Sequence, residues 1–341
     1  MAGPVTLSDV AREAGVSLAT ASRAINGSPT RTVGPELRAR VLAAAERLRY
    51  SPDANAQAMA RGRTTSVGLV VHDIADPYFS TIARGVAHAA GRAGLQVILA
   101  STEQDPSREV DIVGLLRRQR ARAIVIAGSR YDDEGATTAL RDALDGYMTS
   151  GGAAAVIGQP VLGTDAVHIA NVEGARALAR AVHERGYRDV AVLGGPTNHL
   201  TARERRDAFT AELAALGAPV PDERVLVGRF DHEGGGRAMT HLLESGERPQ
   251  LVFAVNDVMA LGALAAVRAA GLVVPDDLAL AGFDDITTLR DVVPGLTTVR
   301  IPLEDVGAEA MRLVLEAGHG APRVVEVPTH VVLRESTPSR T

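Results

Sequence analysis

The apolar positions along this chain change their period near residue 66. Before that point they are sparse and fall at helical spacing. Leu7, Val10 and Ala14 make one stripe, Thr6 with Asp9 three residues on forms a capping-box start, and Gly15 can take the left-handed turn that ends a helix. Ser17 caps a second helix over 18–26, and Val16 is the apolar pin in the turn between the two. Two short helices joined by so tight a turn form the helix-turn-helix pattern. Gly34-Pro35 opens a third helix, with Leu37, Val41, Ala44, Ala45 and Leu48 at the spacing of one buried face. The stripes are narrow and made of small side chains, which leaves most of each helix surface for something other than a core.

Beyond Ser66 the apolar residues gather into short continuous runs: VGLVV (67–71), LQVILA (95–100), RAIVIAG (122–128), AAAVIG (153–158), DVAVLGG (189–195), LVFAV (251–255) and LALAGFDD (278–285). Helical segments separate most of them. Near-continuous apolar strands alternating with helices predict parallel sheets covered on both faces. These runs are too many for one comfortable sheet, and GLTTVRIPLEDVGAEAMRLVLE, after residue 295, brings the chain back for further crossings. Ligands of parallel sheets sit outside the carboxyl ends of the strands, so the loops there are the first candidates for chemistry.

Composition narrows the classes. The 341 residues are 46% apolar with net charge −5, enough for one large core or two smaller ones. No apolar run approaches a membrane span and the N-terminus lacks a signal-peptide layout, so a cytoplasmic protein with no membrane partner is expected. The absence of cysteine excludes disulfides, thiolate zinc sites, iron–sulfur clusters and cysteine nucleophiles. The nine histidines show no HxH or HExxH spacing, so neither a metal nor a cofactor is expected. Every basic residue is arginine, so any anion must be held by a guanidinium fork, a main-chain N–H or a hydroxyl. Residues 1–63 carry nine arginines against five acids, whereas the rest carries 27 against 36. A basic head on an acidic body suggests a nucleic-acid module joined to something that is not one.

The run VTLSDVAREAGVSLATASRAINGS, followed by ELRARVLAAAERLRYSPDANAQAMARGRT, resembles the head of the lactose-repressor (LacI) family of bacterial transcription regulators. The resemblance implies that the second helix lies in the major groove of DNA. Leu18 and Ala19 then stand at base-reading positions, where they offer only apolar contact such as to a thymine methyl. Arg23, one turn on, can fork onto guanine O6 and N7 and takes the main polar base contact. Thr20, Ser22 and Asn26 fit phosphate positioning, and Ser17 serves both as a cap and on a phosphate. The next segment corresponds to a hinge helix that folds on the operator, with Met59 at the minor-groove wedge position, where leucine is usual, and Ala56 beside it. Asp53 stands where asparagine is common.

For the rest of the chain the resemblance implies an N-terminal all-α helix-turn-helix bundle (1–52), a hinge helix and linker (53–65) and an α/β periplasmic-binding-protein-like core (66–341). That core holds two Rossmann-like subdomains, about 66–165 with 297–322 and about 166–296 with 323–337, joined by three crossovers around a ligand cleft. The expected effector-binding residues are Asp76 and Phe79 after the first strand, with Tyr78 structural. Arg203 follows the fifth strand, placed by alignment through Gly195-Pro196 and Phe209, in a segment where Ala208 replaces the usual glycine. Asn256 comes next, with Asp257 capping the following helix, then Asp284, with Asp285 a less certain neighbour. Arg130 and Phe230 complete the set. Ile301 stands where many members carry glutamine, a departure expected to bear on which effector is accepted.

The expected function is therefore an effector-responsive transcriptional repressor that binds a pseudo-palindromic operator as a homodimer, with helices near 81–92 as the dimer face. Its small-molecule effector is expected to be a sugar, although purines or other metabolites would also fit the same groups. The C-terminal VVLRESTPSRT has no leucine heptads, so no tetramer built on a terminal coiled coil is expected. Two rivals share the cleft. A sugar-capture binding protein would need export, and this chain has no signal peptide but does have a DNA-binding head. A glycosidase using Asp284 and Asp285 would need both carboxylates on one bond, and adjacent residues point in different directions.

Overall fold

In the computed structural model, which describes residues 5–27, 32–51, 63–318 and 320–340, the chain divides into two units, 1–65 and 66–341. In the first unit Thr6 and Asp9 close the capping box in both directions and start α1 (Leu7–Glu13). Gly15 turns the chain at φ 61°, a conformation that strains a residue with a Cβ. Ser17 then caps α2 (Leu18–Asn26), its Oγ accepting the Thr20 N–H at 3.1 Å, and α3 (Pro35–Arg47) begins on its proline. The interior is Val10, Ala11, Ala14, Ala21, Ala24, Val41 and Ala44, with Leu7, Val16, Ala45 and Leu48 half-buried around it. Leu37 departs from the expected face: it is 38% exposed, on the terminal turn of α3 before the packed stretch begins.

The second unit is built on parallel strands. β1 (Ser66–Val71), β2 (Gln96–Ser101), β3 (Ala123–Ala127), β4 (Ala153–Ile157), β5 (Asp165–Ile169) and β11 (Val324–Val327) form one sheet in the order β11-β5-β4-β3-β1-β2. β6 (Val190–Gly194), β7 (Val225–Val227), β8 (Leu251–Ala254) and β9 (Ala279–Ala281) form another in the order β7-β6-β8-β9. The central strands are buried along nearly their whole length because helices cover both faces. Those helices are α4 (Pro77–Arg92), α5 (Pro106–Arg118), α6 (Glu134–Thr149), α7 (Asn171–Glu184), α8 (Leu200–Ala215), α9 (His232–Glu244), α10 (Asp257–Ala269) and α11 (Leu303–Leu315). A small antiparallel pair, β10 (Thr298–Arg300) with β12 (His330–Val332), lies on the segments that run between the sheets.

The seven expected strands are present, the last reduced to 279–281. The dividing line differs from the expected one. β5 pairs with β4 and β11 pairs with β5 in the first sheet, whereas the sequence boundaries at 165/166 and 322/323 assign both to the second lobe. The physical cause is the loop from β4 to β5, which joins two parallel neighbours without a helix and so removes the signal that marks a crossover. The chain passes between the sheets after β5, after β9 and after β11. On the last pass the C-terminal segment ties back to the second sheet, Ser336 Oγ donating to the Leu280 carbonyl at 2.6 Å.

α4 buries Ile82, Gly85, Val86, Ala89 and Ala90, and the close approach of α11 is what requires glycine there. A Cβ on Gly85 would sit 2.0 Å from the Glu304 carbonyl oxygen, and one on Gly307 2.3 Å from that of Ile82. The inner side of the expected dimer helix is thus occupied by its own chain, while Arg84, Ala87, His88 and Arg92 face outward. Beside it, the edge strand β2 leaves Ile98 and Leu99 about two-fifths exposed. Among the described residues no helix is long and apolar enough to cross a membrane.

Candidate ligand cleft and nucleic-acid interface

In the first unit, α2 turns Ala21 and Ala24 into the core and leaves Leu18 and Ala19 outside, Leu18 at 52% exposure. Ser17 Oγ and Thr20 Oγ1 lie 2.8 Å apart at the start of the helix, and Asn26 Nδ2 donates to Ser22 Oγ at 3.3 Å near its end. Arg23 Nε donates to the Ala19 carbonyl at 2.9 Å, which holds the guanidinium back over the first turn of the helix. Ser17, Leu18, Ala19, Thr20, Ser22, Arg23 and Asn26 thus share the faces of α2 left free by the core. Ala56 and Met59, like Asp53, lie outside the described residues.

In the second unit, the carboxyl ends of the strands surround a cavity. After β1, His72 enters it, followed by Asp76, whose Oδ1 caps α4 by accepting the Tyr78 N–H at 2.8 Å, then Tyr78 and Phe79. Gln104, Gly128 and Ser129 follow from the ends of β2 and β3. Gly128 is needed beside His72, since a Cβ there would lie 2.4 Å from the imidazole Nε2. The second sheet contributes His199, Thr201, Arg205, Phe230, Asn256 and Asp284. His199 and Phe230 have ring centroids 4.3 Å apart and form the aromatic wall.

The cavity is organised around Arg205, which is 1% exposed. Its Nε donates to Asn171 Oδ1 and its Nη1 to the Val255 carbonyl, both at 2.9 Å, while the guanidinium carbon stands 3.9 Å above the Phe283 ring. Nη1 also lies 2.9 Å from Asp284 Oδ1. That contact is ionic but out of line with the N–H, and Oδ1 receives no hydrogen bond among the described residues. Burial pushes the Asp284 carboxyl well above the usual range, with Arg205 pulling the other way and Asp257 and Asp76 adding repulsion. Burial likewise pushes Asp76 up to about 6, against the Tyr78 N–H that stabilises its charge. Burial, reinforced by the charges of His72, Arg205 and Arg130, brings His199 down to about 3 and keeps it neutral.

Four expectations are corrected here. Arg203 does not line the cavity: it is 40% exposed along its side chain and pairs with Asp132 at 2.7 Å. On a helix, residues two apart point to nearly opposite sides, and in TARERRDAF it is Arg205 that turns inward. Arg130 is buried behind the wall, where both Nη atoms fork onto Glu109 at 2.7 Å and Nη2 lies 3.4 Å from His72 Nε2. Burial works against the Glu109 charge, but hydrogen bonds from His72 and Arg130 outweigh it and hold the carboxyl down to about 2. Tyr78, expected to be structural, lines the cavity edge-on to Phe79. Asn256, not Asp257, caps α10 by accepting the Met259 N–H at 2.8 Å. Asp257 instead accepts from Ile286 N and Thr298 Oγ1 and ties the last loops together.

Asp285 turns away to Arg300 and Arg334, so it makes no pair with Asp284 in the cavity. Ile301 is buried on the segment between the sheets and does not line the cavity either. Asp76, Phe79, Phe230, Asn256 and Asp284 are brought together as expected, while His72, Gln104, Ser129, His199, Thr201 and Arg205 are additions. None of these six carries a sequence signal by itself. His72, Gln104 and Ser129 are marked only by their place shortly after an apolar run, whereas Thr201 and Arg205 lie within α8.

The two lobes are fastened across the mouth. Leu200 N donates to the Arg130 carbonyl, Asp132 N to the Asn198 carbonyl and Thr201 N to Ser129 Oγ, at 2.7 to 2.9 Å. Gln159 Nε2 reaches Thr201 Oγ1 at 3.0 Å and Glu204 Oε1 at 3.1 Å.

A family model described as bacterial regulatory proteins, lacI family, matches residues 6–53, and one described as periplasmic binding protein-like domain matches 179–337. The HTH-type transcriptional regulator DegA of Bacillus subtilis (strain 168) is 30% identical over 337 residues, covering 97% of this chain and 98% of that protein. A solved complex of the transcriptional regulator CelR with cellobiose is 32% identical, with a TM-score of 0.70 over 97% of this chain and 99% of that one. The Lac repressor dimer bound to operator and the anti-inducer ONPF is 25% identical, with a TM-score of 0.86 over 98% of this chain and 100% of that one.

Proposed function

The chain belongs to the lacI family of bacterial regulatory proteins, and from that premise we propose that it represses by holding a pseudo-palindromic operator as a dimer and senses a sugar in its cleft. It is an effector-responsive DNA-binding transcriptional regulator and not an enzyme. In this reading residues 1–52 are the DNA-binding domain, 53–65 the hinge and 66–341 the effector core. Ser17, Leu18, Ala19, Thr20, Ser22, Arg23 and Asn26 meet the DNA, joined by Ala56 and Met59 of the hinge. Arg23 carries the polar base reading because Leu18 and Ala19 can offer only apolar contact.

The observation that carries the effector reading is the meeting of Arg205 and Asp284 in a cavity that Phe79 and Phe230 also line. Such a guanidinium and carboxylate suit vicinal hydroxyls, with the rings covering the apolar face of a sugar. Asp76 and Asn256 supply the remaining polar groups. Cellobiose in CelR is a precedent for a sugar ligand in a chain of this similarity. Dimerisation through the outer face of α4 and the edge strand β2 gives the exposed Ile98 and Leu99 a partner and puts two heads on two half-sites. The protein then works in the cytoplasm and joins the nucleoid when bound to DNA.

Ligand acts by shifting the population between fastened and parted lobes, since it binds the two states with different affinity. In the dimer that shift moves the first lobes against each other and changes whether the paired hinges fit the operator. A gel shift on promoter DNA beside its own gene, run with and without a panel of sugars, tests the proposal. Specific retardation that one sugar changes is expected, and retardation indifferent to every cleft ligand overturns the sensing role.

A further inference from the structure

The charge balance of the cavity points beyond a neutral sugar. Asp76 and Asp284 line it. Against these two carboxyl groups the cavity presents, among the described residues, one guanidinium, Arg205, whose Nε donates to Asn171 and whose Nη1 serves the Val255 carbonyl and lies 2.9 Å from Asp284 Oδ1. The charge of Arg130 is spent on Glu109, and His199 is neutral. Asp284 Oδ1, on a residue 4% exposed, receives no hydrogen bond among the described residues, and Asp76 gives only Oδ1 to its cap. Arg205 Nη1 is close to the Asp284 oxygen but out of line for a hydrogen bond, and a buried oxygen without an in-line donor gains more from a donor that also brings positive charge than from a hydroxyl.

We propose that the effector carries a cationic amino group among its hydroxyls, as an amino sugar or imino sugar does, and that Asp76 and Asp284 hold that group. The proposal rests on the reading of this cleft as the effector site. The hydroxyls fall to Arg205 and Asn256, and the ring to Phe79 and Phe230. The charged and titratable groups that face the two carboxyls are Arg205 from α8, Tyr78 from α4, Asp257 from α10, Asp73 beside Asp76, and the imidazoles of His72 and His199. With only one formal cation in that set, a ligand cation is the group that balances the site.

Because burial raises both carboxyls, they take up protons as pH falls below neutrality, where an amino sugar is already protonated, and so lose their hold on its ammonium group. The preference for an amine therefore fades as pH falls through the folded Asp76 value of about 6. A neutral sugar has no charge to lose and follows the pH far less.

The test is isothermal titration of the full chain with glucosamine, galactosamine and mannosamine beside glucose, galactose and mannose, at pH 7.0 and 5.0. One amine is expected to bind about tenfold more tightly than its neutral parent at pH 7.0, with the ratio shrinking at pH 5.0. In Asp76→Asn the ratio falls toward one whatever the absolute affinities become. Neutral sugars that bind as well as or better than their amines overturn the amine and leave the sugar-sensing role standing. Failure of every sugar, neutral and amino, to bind overturns both.

Discussion

Arg205 Nη1 stands 2.9 Å from Asp284 Oδ1, and neither residue is more than 4% exposed. Arg205 reaches from α8 to the loop after β9, so its charge is shared between a helix and a strand end that are distant in sequence. Removing one partner of such a pair leaves the other charge buried and uncompensated, which typically costs about 3–5 kcal/mol. Arg205→Ala is expected to lose stability on that scale. Arg203→Ala, two residues away on the surface, should lose no more than about 1 kcal/mol. Urea unfolding of the two variants at pH 7 measures the contrast, and equal losses would place the wrong arginine in the cavity.

That pair also marks how far the sequence could be read. The alternation of apolar runs and helices was legible, because strands covered on both faces leave no polar alternation to confuse them. The head was legible in its caps, Thr6 and Ser17, and in its turn at Gly15. Arg205 was not, since TARERRDAF offers three arginines and only the rotation of α8 against its sheet chooses among them. β5 was hidden for a related reason: its neighbour relation to β4 depends on a helix-free loop whose path no local pattern records. His72 and His199 are isolated residues that become neighbours only when the lobes meet.

The Asp76 carboxyl supplies a pH test whose sign is fixed. Its folded value of about 6 lies above the unfolded 3.8, so the fold is favoured while the group is protonated and loses that advantage as pH rises through about 6. Asp76→Asn keeps the oxygen that caps α4 and removes the charge. It should therefore be more stable than the parent by roughly 1–3 kcal/mol at pH 7.5, with the gain vanishing toward pH 4. A gain that is constant with pH would mean that the carboxyl is not the cause.

Glu109 gives the opposite sign. Its folded value of about 2 lies below the unfolded 4.5, so the stability it contributes is present above pH 4.5 and lost as pH falls toward 2. Glu109→Gln strands the buried guanidinium of Arg130 and should cost about 3–5 kcal/mol at neutral pH. The gap between parent and variant should narrow on acidification. Chemical unfolding from pH 7 down to pH 3 follows it, and a gap that widened would refute the pairing.

The contact of α4 with α11 leaves no space for a side chain at Gly85 or Gly307. Gly85→Ala places a Cβ against the Glu304 carbonyl and should destabilise by about 1–3 kcal/mol through forced separation of the helices. Since the outer face of α4 is the proposed dimer surface, the dimer should weaken along with the fold. Thermal unfolding with sedimentation velocity on the same sample reads both. An unchanged melting temperature would contradict the close approach.

At the other end of the chain, Arg23→Ala should cost about 1–3 kcal/mol of operator affinity and relax the preference at one base pair of each half-site. Random DNA should be bound nearly as before, apart from the electrostatic share of one arginine. Competition binding with single-base operator variants separates these, and an equal loss on specific and random DNA would assign Arg23 to phosphate alone.

The central claim is that occupation of the Arg205–Asp284 cavity sets the affinity of the head for DNA. Fluorescence anisotropy on the operator, titrated with the effector for the parent and for Arg205→Met, tests it most directly. The account predicts that effector changes the parent's operator affinity by tenfold or more, a coupling of about 1.4 kcal/mol, and that the variant binds operator without responding. An effector response that survives in Arg205→Met, or a cavity ligand that leaves the parent's operator affinity untouched, would contradict it.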